Sequence, residues 1–304
     1  MHNGVAGYVV PCSGLAGALG LAPQVKVVAP GRVHHFLAPY GPAAPDRQFT
    51  PPWPDIIIAS GRQSVPYARL VKRRTRGAVF SVFIQSPVID ARHFDVVCVP
   101  SHDRLRGKNV TTTLTAPNTL TRAGLAAAKQ QFASPFAALP RPLLGIIIGG
   151  ANAVFTLGLS EIDKIADQLL ALHASGGQGM VITCSRRTGP GVEERLRQRL
   201  ANVPAWIWHG KGANPYFGIM AHADTLMVTC DSVNMVGEAA YTGTPVYMFA
   251  LPGGSAKFAR FHEGMIDAGV VRWFDGVLES WNYTPIDSTK KLASVICQAY
   301  ADRG

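Results

Sequence analysis

Thirteen residues in the second half of the sequence have the types and positions needed to bind phosphate and hydroxyl groups. Each group of them follows an apolar run that is predicted to be a strand, and open parallel sheets bind ligands beyond the carboxyl ends of their strands. Glycine amides, arginine side chains and the first turn of a helix all bind phosphate oxygens. The candidates are Gly149, Gly150, Asn152, Ser185, Arg186, Arg187, Asp231, Ser232, Asn234, Glu238, Gly254, Ser255 and Lys257.

The first two of these loops are predicted to bind a diphosphate. Gly149 and Gly150 follow the run LLGIII, and paired glycines let the backbone approach an anion with their amides open to it. Arg186 and Arg187 follow the run VITC, where two guanidinium groups suit a diphosphate. The alternatives are an ordinary tight turn at the glycines and a solvated basic loop at the arginines.

The other two loops each open a predicted helix. Ser232 is a natural N-cap after the strand TLMVTC, and the helix start then offers unpaired amides to a negative ligand. Asn234 and Glu238 share one face of that helix by their i, i+4 spacing. A lone glutamate on so apolar a helix predicts hydrogen bonds to ribose or sugar hydroxyls, and the alternative is a partly exposed carboxylate. Ser255 and Lys257 open the next helix in the same way.

The first half of the sequence offers a candidate general base. His102 and Asp103 are adjacent at the end of the predicted strand 94–100, where an imidazole could accept a proton from a substrate hydroxyl. The alternative is a capping aspartate beside an exposed histidine.

Charge and missing motifs narrow the class of ligand. Residues 1–140 contain fifteen Lys and Arg against five Asp and Glu, whereas residues 141–304 contain fourteen of each. This basic excess predicts an anionic partner, which is a membrane surface, a nucleic acid or a phosphorylated substrate. Nucleic acid is disfavoured because no basic motif interleaved with aromatic residues occurs.

The sequence has no GxxxxGK[ST], no DxD and no CxxC, so we expect no P-loop, no metal site and no other cofactor.

The apolar runs predict the fold class. Runs such as IIIAS at 56–60 are continuously apolar, which is typical of parallel strands buried on both faces, and helix-length segments separate them. We therefore expect an α/β protein of two Rossmann-like, doubly wound domains that face each other across a cleft. Proline-rich punctuation near residue 140 predicts domains at 1–140 and 141–285, with a C-terminal helix at 286–304 that crosses back to the first domain.

Four segments of the chain resemble a known family. Residues 51–69, 94–114, 213–249 and 253–262, with the stretches DSVNM and GSAKFARFH the most specific, are similar to the bacterial branch of the mitochondrial-fission "elongated mitochondria" family. That resemblance implies a fold of the GT-B glycosyltransferase type, and some members carry the label nucleoside-diphosphate-sugar epimerase. Family members usually begin with a strand and a DGxAGH-like loop. Here residues 3–8 read NGVAGY, so we expect the first strand to be missing and the sheet edge to be unpaired.

The resemblance and the residues together predict a metal-independent glycosyltransferase. It would move a sugar from a nucleotide-diphosphate-sugar to an envelope or lipid-linked glycan, in the cytoplasm at the inner face of the cytoplasmic membrane. Retaining enzymes of this fold often carry Glu-x7-Glu, but Val246 stands eight residues after Glu238, which favours inversion. The alternative is a non-catalytic, membrane-associated interaction protein of the same family.

Overall fold

The computed structural model describes residues 1–303, which form two compact units. The first unit contains residues 1–119 and the C-terminal segment that begins at Asp287, and the second contains residues 120–286. The strands are β1 (Ile56–Ser60), β2 (Phe80–Ile84), β3 (Val96–Pro100), β4 (Val110–Thr113), β5 (Leu143–Ile148), β6 (Gly179–Cys184), β7 (Ala205–Ile207), β8 (Thr225–Thr229), β9 (Val246–Phe249) and β10 (Val271–Trp273). The helices are α1 (Ala6–Ala18), α2 (Arg32–Leu37), α3 (Ser64–Arg74), α4 (Arg122–Gln131), α5 (Ala133–Phe136), α6 (Leu159–Gly176), α7 (Pro190–Arg199), α8 (Tyr216–His222), α9 (Val233–Ala240), α10 (Ala256–Asp267) and α11 (Ser288–Ala301).

The first unit is a parallel sheet of order β1-β2-β3-β4 with helices on both faces. Every residue of β2 and β3 is buried, as their largely apolar sequences predict, and Ser81 is the one polar residue among them. Val65 and Val71 of α3 join the apolar cluster on one face, while Leu15 of α1 and Leu292 of α11 join the cluster on the other. The C-terminal helix α11 therefore completes the core of the first unit.

The outer edge of β1 carries backbone pairing. The amide of Ser60 donates to the carbonyl of Met1 at 3.0 Å, and His2 forms a parallel bridge with Val27. The unpaired edge that the sequence predicted is thus covered at this point, because residues 1–2 lie between β1 and Val27.

The second unit is a parallel sheet of order β10-β9-β8-β5-β6-β7. All six residues of β5 are buried at its centre, and β5 pairs with β6 on one side and β8 on the other. The strands run in parallel, so the carboxyl ends of β9, β8, β5 and β6 lie side by side at one edge. The two parallel α/β sheets confirm the predicted fold class.

Residues 120–140 belong to the second unit, although the sequence placed the domain boundary after residue 140. The side chain of His222 in α8 is 2.7 Å from the carbonyl oxygen of Lys129 in α4. Phe136 packs edge-on against Trp206 of β7, with ring centroids 5.2 Å apart. These contacts anchor α4 and α5 to the second sheet, so the proline-rich stretch 135–142 lies within that unit.

None of the described helices combines the length and the apolar character that a membrane span needs.

Candidate functional site

Asp231 joins the loops that follow three adjacent strands of the second sheet. Its side chain is fully buried, and its carboxylate accepts hydrogen bonds from Thr229 Oγ1 at 2.6 Å and from the Gly150 amide at 3.1 Å. It also forms an ion pair of 2.7 Å with Arg187 Nη2. Asn152 Nδ2 donates to the Asp231 carbonyl at 3.1 Å. The predicted convergence of the loops after β5, β6 and β8 is thus present in the structure.

Gly149 and Gly150 are packed tightly against this buried carboxylate and its partner. A Cβ atom on Gly149 would lie 2.1 Å from Asp231 Oδ1, and one on Gly150 would lie 2.3 Å from the backbone of Arg187. The Gly149 amide donates to Thr229 Oγ1 at 2.7 Å, while the Gly150 amide is held by Asp231. The sequence predicted amides open to an anion, but here both amides are used inside the protein.

Replacing Gly150 by alanine is expected to destabilise the second unit by about 1–3 kcal/mol, because the new methyl group meets rigid backbone. Gly191, in the first turn of α7, has open space around its Cβ position. G191A is therefore the matched control and is expected to leave the unfolding midpoint in urea unchanged or raised. Equal midpoints for G150A and the wild-type chain would contradict the assigned packing.

The two arginines after β6 play different parts. Arg187 Nη1 donates to the carbonyl of Gly150 at 2.9 Å while Nη2 pairs with Asp231, so its guanidinium braces the loop. Ser185 Oγ donates to the Gly149 carbonyl at 2.9 Å and completes this brace. Arg186 is exposed and carries its positive charge into solvent beside the loop. Of the two arginines predicted to bind a diphosphate, Arg187 is therefore bonded within the protein and Arg186 is exposed.

Helix α9 begins directly after Asp231. Ser232 caps it by accepting a hydrogen bond from the Met235 amide at 3.4 Å, and Asn234 is half-buried in the first turn. One turn further on, Glu238 Oε2 accepts a hydrogen bond of 2.5 Å from the hydroxyl of Tyr216 in α8. The predicted N-cap and the predicted helix face are therefore both present.

The pKa of the Glu238 carboxyl group is shifted well above its ordinary value. Burial raises its pKa from the ordinary value of 4.5 to about 7, and the hydrogen bond from Tyr216 opposes that rise. Burial, with the neighbouring Glu238 charge, also raises the pKa of Tyr216 well above its ordinary value, so the phenol stays protonated and donates. A carboxyl group whose pKa lies near neutrality is a common property of functional sites.

The loop after β9 opens helix α10. Ser255 caps this helix by accepting from the Phe258 amide, and Lys257 is exposed in its first turn. The Gly254 amide donates to the Val154 carbonyl at 2.6 Å, which ties this loop to the one after β5. All four predicted loops of the second unit are thus linked at the same edge of the sheet.

A pocket of about 420 Å³ adjoins the start of α10. Aromatic rings make up much of its wall, and the buried His262 lies among them with Nε2 donating to the Cys230 carbonyl at 2.9 Å. Burial lowers the pKa of His262, so the imidazole is neutral at neutral pH. The aromatic residues in the lining are Phe155, Phe258, His262 and Trp273.

The candidate base His102 lies in the first unit, in the loop after β3. Its side chain is buried, whereas the sequence alternative had it exposed, and Asp103 beside it is half-buried. The Asp103 amide donates to the Pro100 carbonyl at 2.9 Å and tightens the turn.

Some residues of the site could not be recognised as site residues from the sequence. Tyr216 contacts Glu238 across 22 positions, and nothing in the segment ANPYFG predicts that pairing. Thr229 reads as an ordinary strand residue, yet its hydroxyl bridges Gly149 and Asp231. Phe155 and Trp273 also come to the pocket from distant parts of the chain.

Solved structures with the same fold include a UDP-GlcNAc 2-epimerase and MurG. The UDP-GlcNAc 2-epimerase from Methanocaldococcus jannaschii aligns with a TM-score of 0.59 and 12% identity, covering 93% of this chain and 88% of that one. Another structure of this epimerase contains UDP-GlcNAc and UDP. MurG from Acinetobacter baumannii aligns with a TM-score of 0.51 and 14% identity, covering 99% of this chain and 91% of that one. These alignments show that the chain has a GT-B-type fold.

The sequence itself matches a family over nearly its whole length. The family profile of Mitochondrial fission ELM1 matches residues 6–300. The Mitochondrial fission protein ELM1 of Arabidopsis thaliana is 32% identical over 278 residues, which cover 83% of this chain and 65% of the plant protein. This chain thus spans less than two thirds of its plant relative. The match confirms the resemblance seen in the sequence, and the chain belongs to the mitochondrial fission ELM1 family.

Proposed function

We propose that the second unit binds a nucleotide-diphosphate-sugar. The observation that carries this proposal is Glu238, a carboxyl with a pKa near neutrality that Tyr216 holds on the helix following β8. Carboxyl groups with strongly shifted pKa values cluster at functional sites, which supports a ligand-binding role for Glu238. The archaeal epimerase with a similar fold acts, by its name, on UDP-GlcNAc, which supports this class of ligand.

Each part of the ligand has a matching group in the second unit. Glu238 accepts hydrogen bonds from the ribose or sugar hydroxyls. The diphosphate meets the start of α9 at Ser232, the start of α10 at Ser255 and Lys257, and the exposed Arg186. The aromatic pocket beside α10 receives a ring of the ligand.

The proposed reaction is an inverting transfer of the sugar to a glycan or lipid-linked acceptor without a metal ion. The positive ends of α9 and α10 stabilise the charge that develops on the departing nucleoside diphosphate. His102 or Asp103 of the first unit remains the proposed general base for the acceptor hydroxyl.

A thermal-shift panel tests the binding step. UDP-GlcNAc, a guanosine diphosphate-sugar and an adenosine diphosphate-sugar are added to the full chain, with the free sugars as controls. One donor is expected to raise the melting temperature by several degrees, because a ligand at about 100 times its dissociation constant adds about 2.7 kcal/mol to stability. The shift is expected to persist in EDTA. No shift with any nucleotide diphosphate would count against the proposal.

A second candidate function is a non-catalytic interaction protein that acts at a membrane. The name of the plant relative and the charge of the first unit favour it, since that unit contains sixteen Lys and Arg against seven Asp and Glu. Binding to lipid vesicles without any turnover of a nucleotide sugar would support this candidate over the transferase.

A further inference from the structure

Helix α2 of the first unit turns its apolar side chains away from the protein. None of the six described residues of this helix is buried. Phe36 is 81% exposed and Val33 is 68% exposed, and Tyr40, just beyond the helix, is 69% exposed. A soluble surface rarely leaves several such side chains together in water. We call the surface formed by Val33, Phe36, Leu37, Tyr40 and Val88 the apolar patch.

The apolar patch is a single surface rather than a set of scattered residues. Val33, Phe36 and Leu37 follow the i, i+3, i+4 spacing of one helix face, and Tyr40 lies three residues beyond the end of the helix. The hydroxyl of Tyr40 donates to the carbonyl of Val88 at 3.4 Å, which brings in the exposed Val88 side chain from the loop after β2.

Two arginine side chains hold the backbone of the patch against the rest of the first unit, which leaves its apolar side chains exposed. Arg62 donates to the carbonyls of Phe36, at 3.0 Å, and Ala38. Arg69 Nη1 donates to the carbonyl of Tyr40 at 3.2 Å. Both guanidinium groups therefore lie directly beside the apolar side chains, and Arg32 adds a third positive charge within the helix.

Positive charge predominates around the patch. Residues 1–90, which supply α2, Val88 and both arginines, contain nine Lys and Arg against three Asp and no Glu. An acidic bilayer surface presents anionic headgroups above an apolar interior, which matches cations around exposed aromatic and aliphatic side chains.

We propose that the apolar patch docks on an anionic lipid surface, with Phe36 and Val33 inserted at the headgroup boundary and Arg32, Arg62 and Arg69 against the lipid charges. Tyrosine suits this boundary because its ring is apolar and its hydroxyl is polar. This inference is independent of the proposed nucleotide-sugar site, because all of its residues lie in the first unit.

Vesicle co-sedimentation of the full chain tests the proposal. Vesicles with about one third anionic lipid are compared with neutral vesicles, each at low and at high salt. The wild-type chain is expected to pellet with anionic vesicles at low salt and to be released at high salt. F36E is expected to weaken binding about tenfold, since it replaces a large apolar side chain by a charge of the lipid's own sign. R32E is expected to weaken it several-fold.

The control is V277E, which places the same charge at an apolar residue of the second unit that is 63% exposed. V277E is expected to bind like the wild-type chain, and circular dichroism melts are expected to be the same for all variants because the sites are exposed. Equal binding to neutral and anionic vesicles, or unchanged binding by F36E, would overturn the proposal. Dimers that F36E dissolves, without any vesicle binding, would assign the patch to a second copy of the chain instead.

Discussion

Replacing Glu238 by glutamine is expected to stabilise the chain at neutral pH. Burial raises the pKa of this carboxyl to about 7, so the folded protein keeps a proton that the unfolded chain loses near its ordinary pKa of 4.5. The unfolded state binds fewer protons between these values, so the stability of the wild-type chain falls as pH rises from about 4.5 to about 7 and is level above that. The loss between about pH 5 and pH 7.5 is expected to be about 2 kcal/mol. Glutamine has nearly the same shape as glutamate and cannot ionise, so E238Q lacks this pH-dependent loss of stability.

Urea unfolding of both chains across that pH range measures the effect. The stability of the wild-type chain is expected to decline relative to E238Q as pH rises, because all other titrating groups are common to both. E194Q is the matched control, since Glu194 is exposed on α7, where it accepts a hydrogen bond from Gln198. Parallel stability curves for the wild-type chain and E238Q would mean that Glu238 ionises normally.

Replacing Asp231 by asparagine is expected to cost about 3 kcal/mol of stability. The carboxylate is fully buried and serves Thr229, Gly150 and Arg187 at once. An asparagine would turn one acceptor oxygen into a donor that faces other donors, and it would leave the guanidinium of Arg187 without its charge partner.

The matched control for this change is D167N. Asp167 pairs with Arg199 at the surface and is 65% exposed, so its loss is expected to cost less than about 1 kcal/mol. Unfolding free energies from urea titration compare the two variants. A loss for D231N no larger than that for D167N would contradict the role of Asp231 as the junction of the three loops.

Much of the fold could be predicted from uninterrupted apolar runs. The sequences of β1 and β5 are too apolar for a sheet with one wet face, so burial on both faces and parallel pairing follow. Helix α2 was not predicted, because its helical spacing of apolar residues covers only six residues and lies in a segment rich in proline and glycine. The first unit ends at residue 119 because α4 makes long-range contacts with α8 in the second unit. The prolines near residue 140 had indicated a later boundary.

The position of the candidate site could be predicted from the sequence, but the hydrogen-bond partners of its residues could not. Parallel strands bring their ends together, so the loops at Gly149, Arg187, Asp231 and Gly254 had to be neighbours. The sequence could not tell whether the glycine amides meet a ligand or a buried carboxylate, since both need the same absence of a side chain. The partner of Glu238 was equally hidden, because Tyr216 reaches it from a different helix.

Isothermal titration of UDP-GlcNAc into the wild-type chain and into E238Q measures whether Glu238 binds a nucleotide sugar. We expect one binding site per chain, tighter binding above about pH 7 where the carboxylate is ionised, and binding at least tenfold weaker in E238Q, as the loss of hydrogen bonds to a charged group implies. If other nucleotide-diphosphate-sugars replace UDP-GlcNAc in the same titration, the same pattern is expected for the one that binds. No saturable heat with any of them, or equal affinity in both chains, would contradict it.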